Sequence, residues 1–358
     1  MRIAIAGGGH GAYAAAADLA AEGHEVVLWR RDGEALRAAG SEPKIVLKDA
    51  SGAREIALAG ATADLGRAIA SAELIVVPLP ATAQDDVARS LAPHLADGQV
   101  VFLPPGTFGS FAMAQIVRAA GSRARVAWAE TGTLPYLARK HGAREVNVSA
   151  RAVRLPTGVY PAKDAERAIA VIRRAFPSVH PCGDVLSAAL MNAGPVIHTP
   201  LVIMNAAPLQ HFERWDIHAE GTQPAVRAVT DGLDRERIAV REALGYGAPH
   251  YPLADHYAND RWMYGDAHRR LVQSGDWREH IDLHTHRYIR EDGEMGLAFL
   301  ASVARHARVA APLAQGLLAV LGAILGRDLQ RGARTLEALG LAALSPAQLR
   351  KQLHDGDD

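Results

Sequence analysis

The sequence predicts an α/β protein with an N-terminal Rossmann dinucleotide-binding domain and an all-helical C-terminal domain. Three observations lead to this prediction. A short apolar stretch at 2–6 runs directly into a glycine-rich turn and an alanine-rich helix. Apolar runs and helical patterns then alternate up to about residue 160, as in parallel β/α folds. From residue 165 onward helical patterns dominate. We therefore place the domains at 1–164 and 165–358.

The composition is that of a globular protein of about two domains. The chain has 358 residues, an apolar fraction of 49%, and 39 basic and 39 acidic residues. This balance gives no indication of a nucleic-acid or anionic membrane partner. A single cysteine excludes an internal disulfide framework. We find no secretory signal and no window of eighteen apolar residues. We therefore expect a cytoplasmic protein without a transmembrane helix.

The turn after the first strand has the spacing G-x-G-x-x-A, between a predicted strand and a predicted helix at 13–22. Gly7 would allow the tight turn, Gly9 the close approach of a pyrophosphate, and Ala12 the packing of helix against strand. The amides at the start of the helix would bind the phosphates. We therefore predict cofactor contacts from Gly7, Gly9, His10, Gly11 and Ala12.

Two arginines follow the second predicted strand, at 24–29. An acidic residue at this position usually binds the ribose hydroxyls of NAD, whereas an arginine suits the 2′-phosphate of NADP. Arg30 occupies the position and Arg31 is next to it, while Asp32 could still bind a ribose. We therefore predict NADP as the cofactor, with NAD as the alternative. The alternative is that both arginines are solvated surface residues that bind no cofactor.

Further strands are predicted at 74–77, 100–103, 125–128, 146–149 and 152–155, with a hairpin at 45–58. We assign the last two strands to the same sheet as the others. Ligands of open α/β sheets bind beyond the carboxyl ends of the strands. Pro78 follows one strand, and Gly106 and Thr107 follow another. We expect these three residues to contact the cofactor. The loop at 130–136 lies at the same edge.

The apolar segment 191–205 is the most unusual stretch of the second domain. Its length and lack of alternation predict a buried helix, which Pro195 and Pro200 should interrupt. It contains His198, Asn192 and Asn205. Burying a polar group without a partner costs about 1–3 kcal/mol, so each of them needs a reason. His198 is either a core histidine bonded to a carbonyl or a catalytic group.

A second stretch of interest, 286–292, precedes a helix predicted at 295–307. Asp292 could cap that helix. It could also accept a hydrogen bond from His198, which would fix the tautomer and support the imidazolium. The histidines at 280, 284 and 286 have a spacing compatible with a metal. Because no cysteine or acidic ligand cluster accompanies them, we predict no metal site.

Taken together, these motifs resemble the opine dehydrogenase family of the octopine and nopaline type. The matching segments span nearly the full chain. They are the 7–12 turn, Gly23-His-x-Val-x-x-Trp29, Pro105-Gly106, Glu130-Thr-x-Thr-Leu-Pro-Tyr136, the 198–205 helix, Arg287-Tyr-Ile-x-Glu-Asp292 and 325–341. The resemblance implies NAD(P)H-dependent reductive condensation of an amino acid amine with a 2-oxo acid.

The resemblance also implies roles for individual residues. His198 and Asp292 would form a catalytic dyad in the cleft, and Arg287 would be the substrate-binding cation. Thr133 and Asn205, which lie in matching segments, are further candidate substrate contacts. Members of the family more often have an acid at the position of Arg30 and usually prefer NADH. The arginine of this chain departs from that pattern. The expected partners are the two small substrates and, for assembly, a homodimer.

Two other functions are compatible with the same residues. The dyad would also serve an alcohol or 2-hydroxy-acid dehydrogenase, and a non-catalytic NADP-binding sensor would keep the nucleotide loop alone. Glycerol-3-phosphate dehydrogenases and ketopantoate reductases share the architecture but use a catalytic lysine in the second domain. The lysines of this chain are residues 44, 48, 140, 163 and 351. None lies in the core of the predicted helical domain, so lysine chemistry is not expected there.

Overall fold

The computed structural model describes residues 1–34, 43–266, 272 and 280–356. The chain divides into two compact units, Met1–Ala188 and Ala189–Leu353, with His354–Gly356 belonging to the first. This division comes later than the predicted boundary at 164/165. The reason is a strand at Val179–Asp184, which the sequence did not predict and which pairs with a strand of the first unit.

The strands of the described residues are, in chain order, β1 (Arg2–Ala6), β2 (Glu25–Trp29), β3 (Lys44–Asp49), β4 (Gly52–Ala57), β5 (Gly60–Thr62), β6 (Leu74–Val76), β7 (Val100–Leu103), β8 (Ala127–Thr131), β9 (Tyr136–His141), β10 (Glu145–Arg151), β11 (Leu155–Tyr160) and β12 (Val179–Asp184). They form an eight-stranded sheet in the order β12-β11-β8-β7-β6-β1-β2-β5 and a four-stranded sheet in the order β4-β3-β10-β9.

The eight-stranded sheet has the strand order of a Rossmann fold. Strands β5, β2, β1, β6, β7 and β8 are parallel neighbours, which is the classic dinucleotide-binding order. β11 is antiparallel to β8 and extends the sheet. β6, β7 and β8 are buried along their whole length, as expected for parallel strands covered on both faces. The prediction of a Rossmann domain is confirmed.

The helices of the first unit connect these strands. They are α1 (His10–Ala21), α2 (Leu65–Ile69), α3 (Ala81–Leu91), α4 (Gly109–Ala119) and α5 (Ala165–Arg173), with a 3₁₀ turn at Ala162–Asp164. α1 starts three residues earlier than predicted. β8 begins two residues later than the predicted strand and ends three residues later. Glu130 and Thr131 therefore lie in the sheet rather than in a loop.

The four-stranded sheet, here called the accessory sheet, contains the predicted hairpin. β3 and β4 pair antiparallel, with Asp49 opposite Gly52 at the turn. β10 pairs parallel with β3 and antiparallel with β9. The assignment of the 146–149 strand to the main sheet was therefore wrong, and the strand predicted at 152–155 is absent apart from its last residue. Alternate residues of β10 are buried, the pattern of a sheet with one covered face.

The accessory sheet packs against α1. Arg151 at the end of β10 pairs with Asp18 of α1 at 2.5 Å and with Asp49 of β3 at 2.8 Å. Arg54 of β4 pairs with the same Asp49 at 2.9 Å. Four elements are therefore joined by one group of charges, and the helix that begins at the glycine-rich turn is tied to the accessory sheet.

The described residues of the second unit form helices and no strand, which confirms the all-helical prediction. After α6 (Val185–Ala189) these are α7 (Gly194–Met204), α8 (Ala206–His211), α9 (Pro224–Ala243), α10 (Leu253–Ala258), a π-helix (Tyr288–Leu297), α11 (Ala298–His306), α12 (Pro312–Leu325) and α13 (Pro346–Asp355). Ser345 caps α13 as predicted, since its hydroxyl accepts from the Gln348 amide.

The segment Val185–Met204 is long and apolar enough, by length and composition, to cross a membrane, with a mean hydropathy of 1.4 over an eighteen-residue window. Ser187, Asn192 and His198 interrupt this segment, so it contains no unbroken run of eighteen apolar residues. In the structure 72% of that window is buried inside the protein, and the segment is divided into α6 and α7 by a break at 190–193. Core helices of folded domains have the same properties.

Candidate active site

His198 and Asp292 lie side by side within the second unit. His198 is on the second turn of α7, and Asp292 is inside the π-helix, 94 residues further along the chain. Nδ1 of His198 is 2.8 Å from Oδ2 of Asp292. The Asp292 side chain is 7% exposed, whereas the imidazole is 18% exposed. The carboxylate is thus enclosed, and the ring retains a path to solvent.

The π-helix explains why Asp292 is not a helix cap. The helix predicted at 295–307 begins at Tyr288 as a π-helix and continues into α11. Asp292 therefore projects from the middle of a helical segment. π-helical turns are rare and occur often at functional sites, because the wider turn redirects a side chain. Helical periodicity in the sequence does not reveal such a turn in advance.

Glycines allow α7 and the π-helix to approach each other closely. A Cβ on Gly194, at the start of α7, would overlap Oδ1 of Asp292, and a Cβ on Gly296 would overlap the ring of Pro195. Pro195 sits in the first turn of α7, where its missing N–H is no loss. The close approach brings the carboxyl onto the face of α7 that carries His198.

Burial raises the pKa of the Asp292 carboxyl well above its ordinary value, and the nearby Arg287 and His286 act in the opposite direction. Desolvation disfavours the charged carboxylate, so a proton is retained near it at higher pH than on a free aspartate. Nδ1 of His198 lies 2.8 Å from this carboxyl, so a charge on either group is felt by the other.

Tyr288 and His218 complete the surroundings of the imidazole, and sequence reasoning missed both. The Tyr288 ring stacks on His198 with centroids 3.7 Å apart and planes 13° apart. Its hydroxyl is 3.0 Å from Nε2 of His218. Both side chains are buried. Tyr288 fixes the plane of the imidazole, while Asp292 fixes its rotation. Tyr288 lies within the 287–292 motif, but no motif in the sequence around His218 indicated its position.

Arg287 lies next to this group. Its guanidinium carbon is 5.2 Å from the centroid of the Tyr288 ring. A guanidinium held over an aromatic face remains charged and keeps its planar fork of donors. The second unit therefore holds a cation, an imidazole and a carboxyl in one group of side chains, which suits the binding of an anion and the transfer of a proton.

Asn205 has a different setting from the one predicted. Its Nδ2 donates to the carbonyls of Leu201 at 2.8 Å and Gly221 at 3.1 Å, and its Oδ1 accepts from Nε1 of Trp215 at 3.1 Å. The side chain is 5% exposed. These bonds tie the end of α7 to the loop that follows α8. They favour a structural role over the predicted substrate contact.

Thr133, the other predicted substrate contact, belongs to the first unit and is partly exposed.

The glycine-rich turn in the first unit has the geometry of a phosphate site. Gly7 has a φ of +140°, which favours glycine, and a Cβ there would lie 2.9 Å from Leu79. A Cβ on Gly9 would have no atom within 4 Å, so the chain leaves open space on that side. α1 starts at His10 with no side-chain cap and no acid in its first turn. Its first amides are therefore suited to a phosphate group.

The remaining fingerprint residues serve packing. Ala12 is fully buried. A Cβ on Gly11 would lie 2.9 Å from Leu134 and 3.4 Å from Pro78. Pro78, beyond β6, is thus close to the start of α1, as expected for a residue at the nucleotide end of the sheet. His10 is exposed, and its Nδ1 accepts a bond of 2.8 Å from the backbone N–H of Lys140.

Arg30 and Arg31 differ in their environments. NH1 of Arg30 donates to the hydroxyl of Tyr13 at 2.7 Å, and its Nε would lie 2.6 Å from a Cβ on Gly8. Arg30 therefore lies against the glycine-rich turn. Arg31 is exposed. Of the two, Arg30 has the placement expected for a contact with the nucleotide.

Gly106 and Thr107 are buried beyond the end of β7. A Cβ on Gly106 would overlap the Glu130 carboxyl, whose oxygens accept from the amides of Phe108 and Ser110 at 2.8 Å each. The fully buried Glu130 thus caps the start of α4. Sequence reasoning placed Glu130 in a loop and gave it no role. Thr107 and Phe108 both have left-handed backbone conformations, with φ of 57° and 59°.

Comparisons with known proteins agree with this architecture. Residues 181–325 match the model of the NAD/NADP octopine/nopaline dehydrogenase alpha-helical domain. Residues 3–131 match the model of Ketopantoate reductase PanE/ApbA. The chain is 27% identical to the opine dehydrogenase of Arthrobacter sp. (strain 1C) over 355 residues, or 97% of each chain. Over nearly its full length the chain is therefore similar to opine dehydrogenases, and the octopine/nopaline dehydrogenase model covers most of its second unit. The chain is an NAD(P)-dependent oxidoreductase of the opine dehydrogenase type.

Solved structures show the same fold. Octopine dehydrogenase with NADH and L-arginine aligns over 100% of this chain and 99% of its own, with a TM-score of 0.73 and 19% identity. Yersinopine dehydrogenase with NADP⁺ aligns over 99% and 98%, with a TM-score of 0.69 and 17% identity. The first part of the chain matches ketopantoate reductase, a class that we expect to use a catalytic lysine in its second domain. The second unit of this chain contains a single lysine, Lys351, at an exposed position of α13.

Proposed function

We propose that the protein is an NADPH-dependent opine dehydrogenase that reduces the imine formed between the amine of an amino acid and a 2-oxo acid. The observation that carries this proposal is the 2.8 Å contact between His198 and the buried Asp292 beneath a partly exposed imidazole. Imine reduction needs one hydride and one proton. The dyad is a group that can handle the proton, and the family is one that uses NAD or NADP.

The two members of the dyad have different tasks in this proposal. Asp292 accepts the hydrogen bond from Nδ1–H of His198, which fixes the tautomer and supports the imidazolium. Proton exchange with the substrate then falls to Nε2. In the reductive direction His198 gives a proton to the substrate nitrogen, and in the oxidative direction it removes one. Positioned acid–base groups contribute about 10²–10⁴ in rate.

Arg287 is the proposed partner of the oxo-acid carboxylate. Its guanidinium lies beside Tyr288, the residue on which His198 stacks. A bidentate Arg–carboxylate pair fixes orientation as well as adding binding energy. An oxo-acid held by Arg287 would therefore present its reacting carbon near the imidazole. The names of the solved relatives are compatible with such substrates, since octopine dehydrogenase has been solved with L-arginine and with pyruvate.

NADPH is the proposed reductant. The open side of Gly9 and the uncapped start of α1 fit a pyrophosphate, and Arg30 fits a 2′-phosphate. When bound, the reduced nicotinamide supplies the hydride. The family description names both NAD and NADP, and the arginine at the end of β2 is the residue that favours NADP here.

The test is the amine dependence of NADPH oxidation, followed by absorbance. Pyruvate and other 2-oxo acids are each supplied alone and with a panel of amino acids, and the product is identified by mass spectrometry. We expect oxidation that requires both substrates and a secondary amine as product. Oxidation with the oxo acid alone would indicate reduction of C=O to an alcohol. Nucleotide binding without turnover across the panel would indicate a sensor.

A further inference from the structure

Lys140, in β9 of the accessory sheet, is bound to the glycine-rich turn at two points. Its backbone N–H donates to Nδ1 of His10 at 2.8 Å, and its ammonium donates to the carbonyl of Gly8 at 3.2 Å. The ammonium also lies 4.0 Å from the centroid of the Tyr13 ring. A lysine 130 residues from His10 is thereby placed at the predicted nucleotide site.

Arg30 approaches Tyr13 and Gly8 as well, from the end of β2. Its NH1 donates to the Tyr13 hydroxyl at 2.7 Å, and its guanidinium carbon is 5.6 Å from the Tyr13 centroid. Its Nε is the atom nearest to the position a Cβ on Gly8 would take. Two cations from different sheets therefore share one tyrosine and one glycine.

The two cations are close enough for the charge of Arg30 to act on Lys140. Burial, and then the charge of Arg30, lower the pKa of the Lys140 ammonium. Within residues 1–34, 43–266 and 280–356, neither Arg30 nor Lys140 forms an ion pair with a carboxylate. The other accessory-sheet lysines are paired, Lys48 with Glu145 at 2.8 Å and Lys44 with Glu55 at 3.2 Å. Like charges held together repel, and a doubly charged group between them would remove the repulsion.

We propose that Lys140 binds the 2′-phosphate of NADP together with Arg30, so that the accessory sheet supplies a specificity-determining residue. The proposal rests on the proposed use of NADPH. It assigns the preference to two cations rather than to the single residue that follows β2. NAD carries a neutral hydroxyl at this position, so it would gain nothing from the second cation and would leave the repulsion in place.

The experiment measures nucleotide binding by calorimetry rather than turnover. The probes are 2′,5′-ADP and 5′-ADP, which differ in the 2′-phosphate, at one fixed low ionic strength because salt screens such contacts. The proteins are the unmutated chain, Lys140→Met, Lys140→Arg and the matched control Lys48→Met from the same sheet. Lys140→Met should weaken 2′,5′-ADP by about tenfold or more, as expected for a charged hydrogen bond, and 5′-ADP by less than about twofold.

The variants separate the proposal from its alternatives. Lys140→Arg should keep most of the preference, and Lys48→Met should keep all of it. Equal weakening of both probes by Lys140→Met would mean that Lys140 supports the turn or the pyrophosphate, and the proposal would be wrong. Unchanged binding would overturn it as well. Circular dichroism of each variant shows whether it is folded.

The same measurements distinguish this proposal from the proposed function. If the 2′-phosphate preference depends on Lys140 but no amine-dependent NADPH oxidation is found, the imine-reduction proposal fails and this one stands. If the unmutated chain binds the two probes equally, this proposal fails, while amine-dependent turnover with NADH would preserve the opine dehydrogenase reaction.

Discussion

The nucleotide turn and the His–Asp dyad are built by different means. The turn uses the backbone: a positive φ at Gly7, open space at Gly9 and an uncapped helix start. The dyad uses side chains from two helices, packed so closely that Gly194 has no room for a Cβ. The turn depends on its glycines and offers backbone amides, whereas the dyad depends on the positions of a few side-chain atoms. This difference predicts where substitutions will have large effects.

The largest effect should come from the imidazole itself. His198→Ala should reduce amine-dependent turnover by about 10²–10⁴, because proton transfer loses its carrier, while NADPH affinity is retained. Asp292→Asn should also reduce it, since an amide no longer supports the imidazolium. The pH–rate profile of Asp292→Asn should move, because burial raises the pKa of the Asp292 carboxyl and the amide removes this ionisable group. Full turnover by a folded His198→Ala protein would falsify the assigned role.

A smaller loss, by a different route, is expected from Gly194→Ala. The added methyl would collide with Oδ1 of Asp292, so the carboxyl must move away from His198. We expect turnover to fall by about 10–10², since an ångström of misplacement has effects of this order. Gly316→Ala in α12 is the control, because a Cβ there meets no atom within 4 Å. It should keep full activity. Equal activities in the two variants would show that the carboxyl position is not critical.

The backbone site should respond to charge rather than to shape. Arg30→Asp should weaken NADPH by about tenfold or more, through the loss of a charged hydrogen bond to phosphate, and should shift the preference toward NADH. Arg31→Asp is the control, because Arg31 is exposed. Dissociation constants for both nucleotides provide the measurement. If Arg31→Asp changes the preference more than Arg30→Asp, the assignment of the two arginines must be reversed.

The smallest effect concerns stability in acid. Arg54, and then Arg151 and the Ser51 amide, hold the pKa of the Asp49 carboxyl well below its ordinary value. A carboxyl whose pKa is lower in the folded state stabilises the protein above its unfolded pKa, and this contribution is lost as pH falls. Thermal unfolding between about pH 5 and 3 should therefore be less pH-dependent in Asp49→Asn.

Asp86→Asn is the matched control for that measurement. Asp86 forms a 3.2 Å pair with Arg89 in which both side chains are more than half exposed, and exposed pairs contribute little. Its unfolding temperature should follow that of the unmutated protein at every pH. An identical pH dependence in all three proteins would mean that the Arg54–Asp49–Arg151 group does not contribute.

How much could be predicted from the sequence follows from the same comparison. The turn at 7–12 is contiguous and its spacing has one interpretation, so its conformation was predictable. Lys140 was not, because β9 reaches β3 only through β10, which pairs with β3 from about a hundred residues away. The alternation of both strands resembles that of any surface strand. The π-helix was not predictable either, since helical periodicity indicated a helix only from residue 295, whereas the π-helix begins at Tyr288. Asn205 was correctly expected to need partners, but Leu201, Gly221 and Trp215 supply them.

The accessory sheet is assembled from two separate chain segments, 44–57 and 136–151, which lie outside the succession of parallel strands. A substitution in such an appendage leaves the parallel strands of the main sheet unchanged. The dyad residues belong to a different part of the chain altogether. Relatives could thus exchange one reductant for another through substitutions in the appendage and at the end of β2, without revisiting the chemistry at His198. An engineer wishing to change the electron donor would begin a library at residues 30 and 140.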